Sequence, residues 1–149
     1  MPKSRVVLVA ACALINPDRR ILVARRPEGK IMAGLWEFPG GKVEHGERPE
    51  ETVIREFGEE LAITINESCL SPFLFASHAY PDFHLLMPLF LCRRWEGMAI
   101  AREGQKTAWV RPRDLGGQDG LYPMPAADIP LIAPLRDLLE RVAPWRGSA

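Results

Sequence analysis

The stretch Gly40-Gly41-Lys42-Val43-Glu44-His45-Gly46-Glu47, continued by Arg55-Glu56-Phe57-Gly58-Glu59-Glu60-Leu61-Ala62-Ile63, decides how this chain is read. Wound at about 100° per residue, its second half brings Val53, Ile54, Phe57 and Leu61 into an arc of roughly 100°, an apolar face that requires a core. Glu56, Glu59 and Glu60 fall in another arc of roughly 100°, pointing elsewhere. Carboxylates crowded in this way repel one another at neutral pH. Hard divalent cations such as Mg²⁺ relieve that repulsion, because they take oxygen ligands and bridge phosphates. For a Glu-Glu pair alone the competing reading, a solvated acidic helix face, would prevail. The neighbours weigh against it here. Gly40-Gly41 reads as a turn that lets a ligand approach the backbone closely. Arg55 adjoins the cluster, with Glu51 four residues earlier as a brace. Glu47 stands just before the helix, placed to fold back onto Arg55 or the carboxylates.

Working outward, Pro49 to Ala62 is the predicted helix, with Pro in the first turn where its missing N–H costs nothing. Upstream, Val6 to Ile15 and Ile21 to Arg25 read as a strand pair around an Asn16–Arg20 turn. Lys3 and Arg5 ahead of that apolar run imitate a signal peptide, but the Asn16-Pro17-Asp18 turn and the second strand pattern favour a buried strand. Trp36-Glu37-Phe38 is a short extended piece stopped by Pro39-Gly40-Gly41. Downstream, Ser71–His78, His84–Cys92 and Thr107–Val110 have strand character, and Pro88 suggests an edge position or a bulge for the second of them. Gly116, Gly117 and Gly120 mark a loop. Ile129 to Val142 reads as a last amphipathic helix that Pro134 must open or kink. Strands with two helices imply an α/β layered domain, one unit over residues 1–149.

Composition narrows the function. With 47% hydrophobic and 26% charged residues the chain belongs with soluble globular proteins. A net charge of zero argues against a long nucleic acid as partner, whereas a small anion arriving with a metal needs no basic field. Cys12, Cys69 and Cys92 are odd in number and form no CxxC. They read as core residues of a protein in a reducing cytoplasm. No apolar stretch reaches the roughly 20 residues that span a membrane. His45, His78 and His84 share no metal-ligand spacing.

Gly41, five residues, Glu47, seven residues and then Arg55-Glu56-Phe57-Gly58-Glu59-Glu60-Leu61-Ala62-Ile63 resemble the box of the Nudix hydrolases, Gly-x5-Glu-x7-Arg-Glu-U-x-Glu-Glu-x-Gly-U with U a bulky apolar residue. One position departs: Ala62 stands where the box has glycine, near the helix end. Val23-Ala24-Arg25-Arg26, Leu35 to Lys42, Tyr80-Pro81-Asp82, Arg94-Trp95-Glu96-Gly97 and Arg102-Glu103-Gly104-Gln105 are similar to the MutT branch, which hydrolyses nucleoside triphosphates, notably 8-oxo-dGTP. Tyr122 to Pro130 is similar to a related branch that prefers CTP and other pyrimidine triphosphates.

The resemblance implies a mixed β-sheet between α-helices. It implies Mg²⁺, with Mn²⁺ as a substitute, held by Glu56, Glu59, Glu60, Glu103 and the Gly40 carbonyl. It makes Arg55 and Glu47 the supporting pair and sets Arg26 and Lys42 near the nucleotide. Phe38 and Asp128 match the base pocket, with Phe83 as a further substrate position. Arg25 and Arg26 are adjacent, so in a strand only one of them can reach the nucleotide. The implied reaction is attack at the internal phosphorus, giving monophosphate and pyrophosphate, by a monomer or homodimer. Glu56, Glu59 and Glu103 are the candidates for taking the proton. Asp128 has two readings: a base reader, accepting when ionised and donating when protonated, or the cap of the helix starting at Ile129. Competing functions are a Nudix-fold binding module, which would lose box carboxylates that this chain keeps, and a hydrolase of another diphosphate.

Overall fold

The computed structural model describes residues 5–116 and 121–140. In chain order the strands are β1 (Arg5–Leu14), β2 (Ile21–Arg25), β3 (Trp36–Glu37), β4 (Gly40–Lys42), β5 (Leu70–Ala79), β6 (Phe83–Cys92) and β7 (Lys106–Val110). The helices are α1 (Pro49–Leu61) and α2 (Ile129–Leu139). The strands make a mixed four-stranded sheet, β4-β1-β6-β5, and an antiparallel three-stranded sheet, β3-β2-β7. Among the described strands only β1 and β6 pair in parallel.

Alternation along β1 explains the layering. Ala10, Cys12 and Leu14 pack with Val53, Phe57 and Leu61 of α1, whereas Ala11, Ala13 and Ile15 pack with Leu131, Leu135 and Leu139 of α2. A strand sheathed on both faces must be apolar at every position, hence the unbroken run from Ala10 to Ile15. The expected sheet between helices is thus present, with the strands shared between two sheets.

Several local expectations change. β1 and β2 are not a hairpin pair: they share one bridge, Ile15 to Ile21, and then separate into different sheets. Both edges of β1 are already taken by β4 and β6, so β2 finds its partners in β3 and β7. Pro88 is not on an edge strand, because β6 lies between β1 and β5. Its missing N–H falls where the β1–β6 ladder is interrupted, between Leu8 opposite Leu86 and Ala11 opposite Leu89. The bulge nearby belongs to β5, between Pro72 and Leu74. Gly40-Gly41 is strand, not turn. Pro134 does not open α2: Pro130 occupies the first turn and Pro134 lies inside the helix, which runs to Leu139. The expected loop at Gly117 and Gly120, and the helix beyond residue 140, lie outside the described residues.

α1 ends in a glycine-like conformation although Ala62 replaces the glycine of the box. Ala62 adopts φ 58° and ψ 30°, the left-handed region that glycine reaches without a Cβ clash. Its carbonyl lies where a Cβ on Gly97 would be only 2.7 Å away, so the turn at Gly97 (φ 98°) closes against the helix end.

Candidate active site

The two glycines explain how the carboxylates are held. A Cβ on Gly40 would stand 2.0 Å from the Ala10 carbonyl oxygen, so β4 can lie against β1 only with glycine there. A Cβ on Gly41 would meet the Glu56 carboxylate, 2.3 Å from Oε1. The pair is therefore required by β1 and by Glu56 rather than by a turn.

Glu47 folds back onto Arg55, as expected. Arg55 Nε donates to Glu47 Oε2 at 2.8 Å and its Nη2 to Oε1 at 3.0 Å, a bidentate fork. The Thr52 hydroxyl donates to Glu47 Oε1 at 2.6 Å. These bonds from Arg55 and then Thr52 hold the Glu47 carboxyl down at about 2. Arg55 Nη1 donates to Glu56 Oε1 at 2.9 Å and lies 3.6 Å from Glu59. Glu51 is not the brace of Arg55: it accepts from the Arg48 backbone and guanidinium, closing the first turn of α1.

Glu60 is half-buried and its carboxyl is pushed up to about 9, by burial first, then by the hydrogen bond and charge of Glu56, then by Glu103 and Glu37. The loop that brings Glu103 is fastened to the end of α1. The Arg102 N–H donates to the Glu60 carbonyl at 3.0 Å, and the Gln105 amide donates to the same carbonyl at 3.3 Å. Gln105 Oε1 accepts from the Glu103 N–H at 2.8 Å.

Two cavities adjoin at Arg26, Glu37 and Gly40. The polar one, about 470 Å³, is bordered by Glu60, Glu103, Gly40, Lys30 and Gln105. The apolar one, about 240 Å³, is bordered by Phe38, Phe83, Tyr80, Leu85, Met87, Lys42 and Asp128. Glu56 lies against Gly41, which borders the apolar cavity, and Glu59 is turned outward, its side chain 61% exposed. Among the described residues no three carboxylate, histidine or cysteine groups close into a preformed metal cage. The donor set nevertheless suits a hard cation: every candidate is an oxygen, and the crowding around Glu60 calls for a proton or a cation.

The side chain of Asp128 does not cap α2. The residue occupies the N-cap position, yet its side chain accepts no bond from the helix. It is 5% exposed and faces the apolar cavity. Its carboxyl is pushed up to about 8, chiefly by burial and then by the charge of Glu37, against the opposing Arg26 and a bond from the Phe38 backbone. At neutral pH it therefore keeps its proton and can donate. The Trp36 N–H to the Pro123 carbonyl (2.7 Å) and the Ala127 N–H to the Tyr80 hydroxyl (3.3 Å) anchor the segment that carries it.

Arg25 and Arg26 both border the polar cavity, against the expectation that only one could. β2 ends at Arg25, so strand alternation no longer governs Arg26. Phe38 belongs both to the core and to the cavity wall. Sequence reasoning missed Glu37 as a site residue. It pairs with Arg26 (Nε to Oε2, 3.1 Å) where the cavities meet, and its only signal was one acid between two aromatics in a strand. Tyr80 and Gln105 were likewise missed as functional positions.

Comparison with known proteins bears on this geometry. The family model for the NUDIX domain matches residues 10–134. The 8-oxo-dGTP diphosphatase of Escherichia coli K12 is 37% identical over 130 residues, 87% of this chain and 96% of that protein. The CTP pyrophosphohydrolase of the same organism is 35% identical over 136 residues, 85% of this chain and 89% of that protein. Among solved structures, a MutT from a study of Aliivibrio salmonicida and Vibrio cholerae superposes with TM-score 0.71 at 32% identity, covering 88% of this chain and 97% of that one.

Proposed function

The chain belongs to the Nudix family, and from that premise we propose that it is a MutT-like hydrolase that cleaves 8-oxo-dGTP and related nucleoside triphosphates to a monophosphate and pyrophosphate. The observation that carries this reading is the pair of joined cavities, one apolar with Asp128 in its wall and one bordered by Glu60 and Glu103. A base fits the first and a triphosphate the second, with Arg26 and Glu37 at the sugar between them.

Glu56, Glu59, Glu60, Glu103 and the Gly40 carbonyl are the groups that would hold Mg²⁺. When bound, the metal neutralises phosphate charge and acidifies a coordinated water. The chain's own residues supply the arrangement. Glu47 fixes the Arg55 guanidinium, which fixes Glu56 in the notch that Gly41 leaves open. The 102–105 loop sets Glu103 beside Glu60. Lys42 and Arg26, both in the cavity wall, offer positive charge to the nucleotide. The proton of the attacking water passes to one of Glu56, Glu59 or Glu103.

Protonated Asp128 donates to a carbonyl on the base, as an oxidised guanine presents, while apolar Phe38, Leu85 and Met87 exclude water from that contact. The similarity to a CTP pyrophosphohydrolase keeps a second reading open: ionised, Asp128 would accept from cytosine N4. Measuring kcat/KM for dGTP, 8-oxo-dGTP, CTP, dCTP and 5-methyl-dCTP separates the two. A clear preference for 8-oxo-dGTP is expected, and a preference for CTP or dCTP would overturn the substrate assignment.

A further inference from the structure

The segment 101–105 carries Glu103 to the polar cavity, yet it belongs to none of the described strands. Arg102, Glu103 and Gly104 are exposed, whereas Gln105 is partly buried. With no ladder to hold it, the segment depends on bonds to the end of α1. On the upstream side the Ile100 N–H donates to the Leu61 carbonyl at 2.9 Å and the Arg102 N–H to the Glu60 carbonyl at 3.0 Å. On the downstream side a side chain does this work. Gln105 Oε1 accepts from the Glu103 N–H at 2.8 Å, and Gln105 Nε2 donates to the Glu60 carbonyl at 3.3 Å. Gly104, at φ 77°, makes the turn that lets Gln105 reach back.

One carboxamide therefore joins the backbones of Glu60 and Glu103, two residues whose carboxylates border the same cavity. Those carboxylates are like charges, and the charge of Glu103 reaches Glu60. Their repulsion favours an outward swing of the exposed segment, away from α1. The link that opposes the swing must accept from one backbone group and donate to another. A carboxamide does both, a carboxylate has no donor, and a thioether offers neither bond at useful strength.

Resting on the reading of this site given above, we propose that Gln105 is a positioning residue for metal binding: its carboxamide holds Glu103 where a divalent cation can take oxygens from Glu103 and Glu60 together. Gln105 acts through Glu103 and not as a ligand, since its oxygen and its amide nitrogen are both engaged by the backbone. Groups that orient a metal ligand in this way are worth about 10- to 100-fold in metal affinity.

The test measures equilibrium binding of Mn²⁺ to the full chain by electron paramagnetic resonance of the free ion, so it does not depend on turnover. Gln105→Met, which keeps the length and removes both bonds, is expected to weaken Mn²⁺ binding by about tenfold. Glu103→Gln should weaken it at least as much. Gln105→Asn, one methylene shorter, reaches only one partner and should fall between wild type and Gln105→Met. In the double variant the loss should equal that of Glu103→Gln alone, because Gln105 then has no ligand to position. Thermal melts confirm that each variant is folded; a merely structural role would lower the midpoint and leave the affinity unchanged. A Gln105→Met affinity within twofold of wild type, or a loss in the double variant more than twofold beyond that of Glu103→Gln, overturns the role of Gln105 and leaves the proposed function standing. Wild-type affinity in Glu103→Gln overturns Glu103 as a ligand and the role of Gln105 with it. Failure of wild-type protein to bind Mn²⁺ overturns the metal-dependent reading of the site as well.

Discussion

Alanine substitutions at Gly40 and Gly41 should have opposite consequences, although the residues are adjacent and chemically identical. At Gly41 the added methyl would lie 2.3 Å from Glu56 Oε1 and 2.5 Å from its Cδ, where ordinary contact begins at 3.4 Å. The Glu56 carboxylate must retreat by about 1 Å, which it can do because it ends a flexible side chain. A catalytic group misplaced by about 1 Å can cost on the order of 10²-fold in rate. Gly41→Ala should therefore lower kcat by about that factor while the thermal midpoint moves little. At Gly40 the methyl would lie 2.0 Å from the Ala10 carbonyl oxygen and 2.7 Å from the Ala11 Cα, both backbone atoms of buried β1. Neither can yield without disrupting the β1–β4 ladder, and overpacking of this kind costs about 1–3 kcal/mol or more. Gly40→Ala should lower the midpoint by several degrees and reduce the yield of folded protein. Paired thermal melts and steady-state kinetics on the two variants check this. The reasoning is refuted if Gly41→Ala keeps kcat within twofold of wild type, or if Gly40→Ala melts with wild-type protein.

Ala62→Gly should stabilise the protein by about 1 kcal/mol, because φ 58° strains a residue with a Cβ; a chemical-denaturation midpoint that fails to rise would contradict it. In chelator, stability should decline from pH 5 to pH 9. Asp128 and Glu60, raised to about 8 and about 9, keep protons over that window that the unfolded chain has already released, so the folded state binds more protons and loses ground as pH rises. Asp128→Asn should flatten the decline, and a midpoint that climbs across the window in metal-free wild type would count against both assignments. Glu47 acts in the other direction: its contribution is complete above about pH 4.5 and disappears as pH falls through about 2, so Glu47→Gln should melt lower than wild type at pH 7 and approach it only in strong acid. Asp128→Ala should change the kcat/KM ratio between purine and pyrimidine triphosphates by about tenfold, and constant ratios would retire it as a base reader.

The helix and its carboxylates were legible because they rest on local periodicity. Val53, Phe57 and Leu61 recur on the core face at helical spacing and the glutamates on another, and Ala62 as the one departure marked the strained helix end. Glu47 on Arg55 was legible for the same reason, being a contact across eight residues. Sheet membership was not. The separation of β1 and β2 depends on β4 and β6 occupying both edges of β1, partners that lie about 30 and about 80 residues away. Nothing around Pro88 announces that β5 arrives to make β6 interior. From its neighbours alone the side chain of Asp128 could be read as a cap or as a base contact; that it makes no cap bond and faces a cavity formed by β1, β6 and the segment tied to Tyr80 depends on residues far along the chain. Glu37 escaped notice because its significance lies in where two cavities meet.

The central claim is that this carboxylate-lined cavity cleaves a triphosphate at its internal phosphorus with the help of a divalent metal. Phosphorus NMR of 8-oxo-dGTP turnover in ¹⁸O-enriched water, with Mg²⁺ and then with excess chelator, tests it most directly. The account predicts pyrophosphate and 8-oxo-dGMP as the only products with Mg²⁺, with ¹⁸O in the pyrophosphate when water attacks the β-phosphorus, and no turnover in chelator. Orthophosphate with a nucleoside diphosphate, or undiminished turnover in chelator, would contradict it.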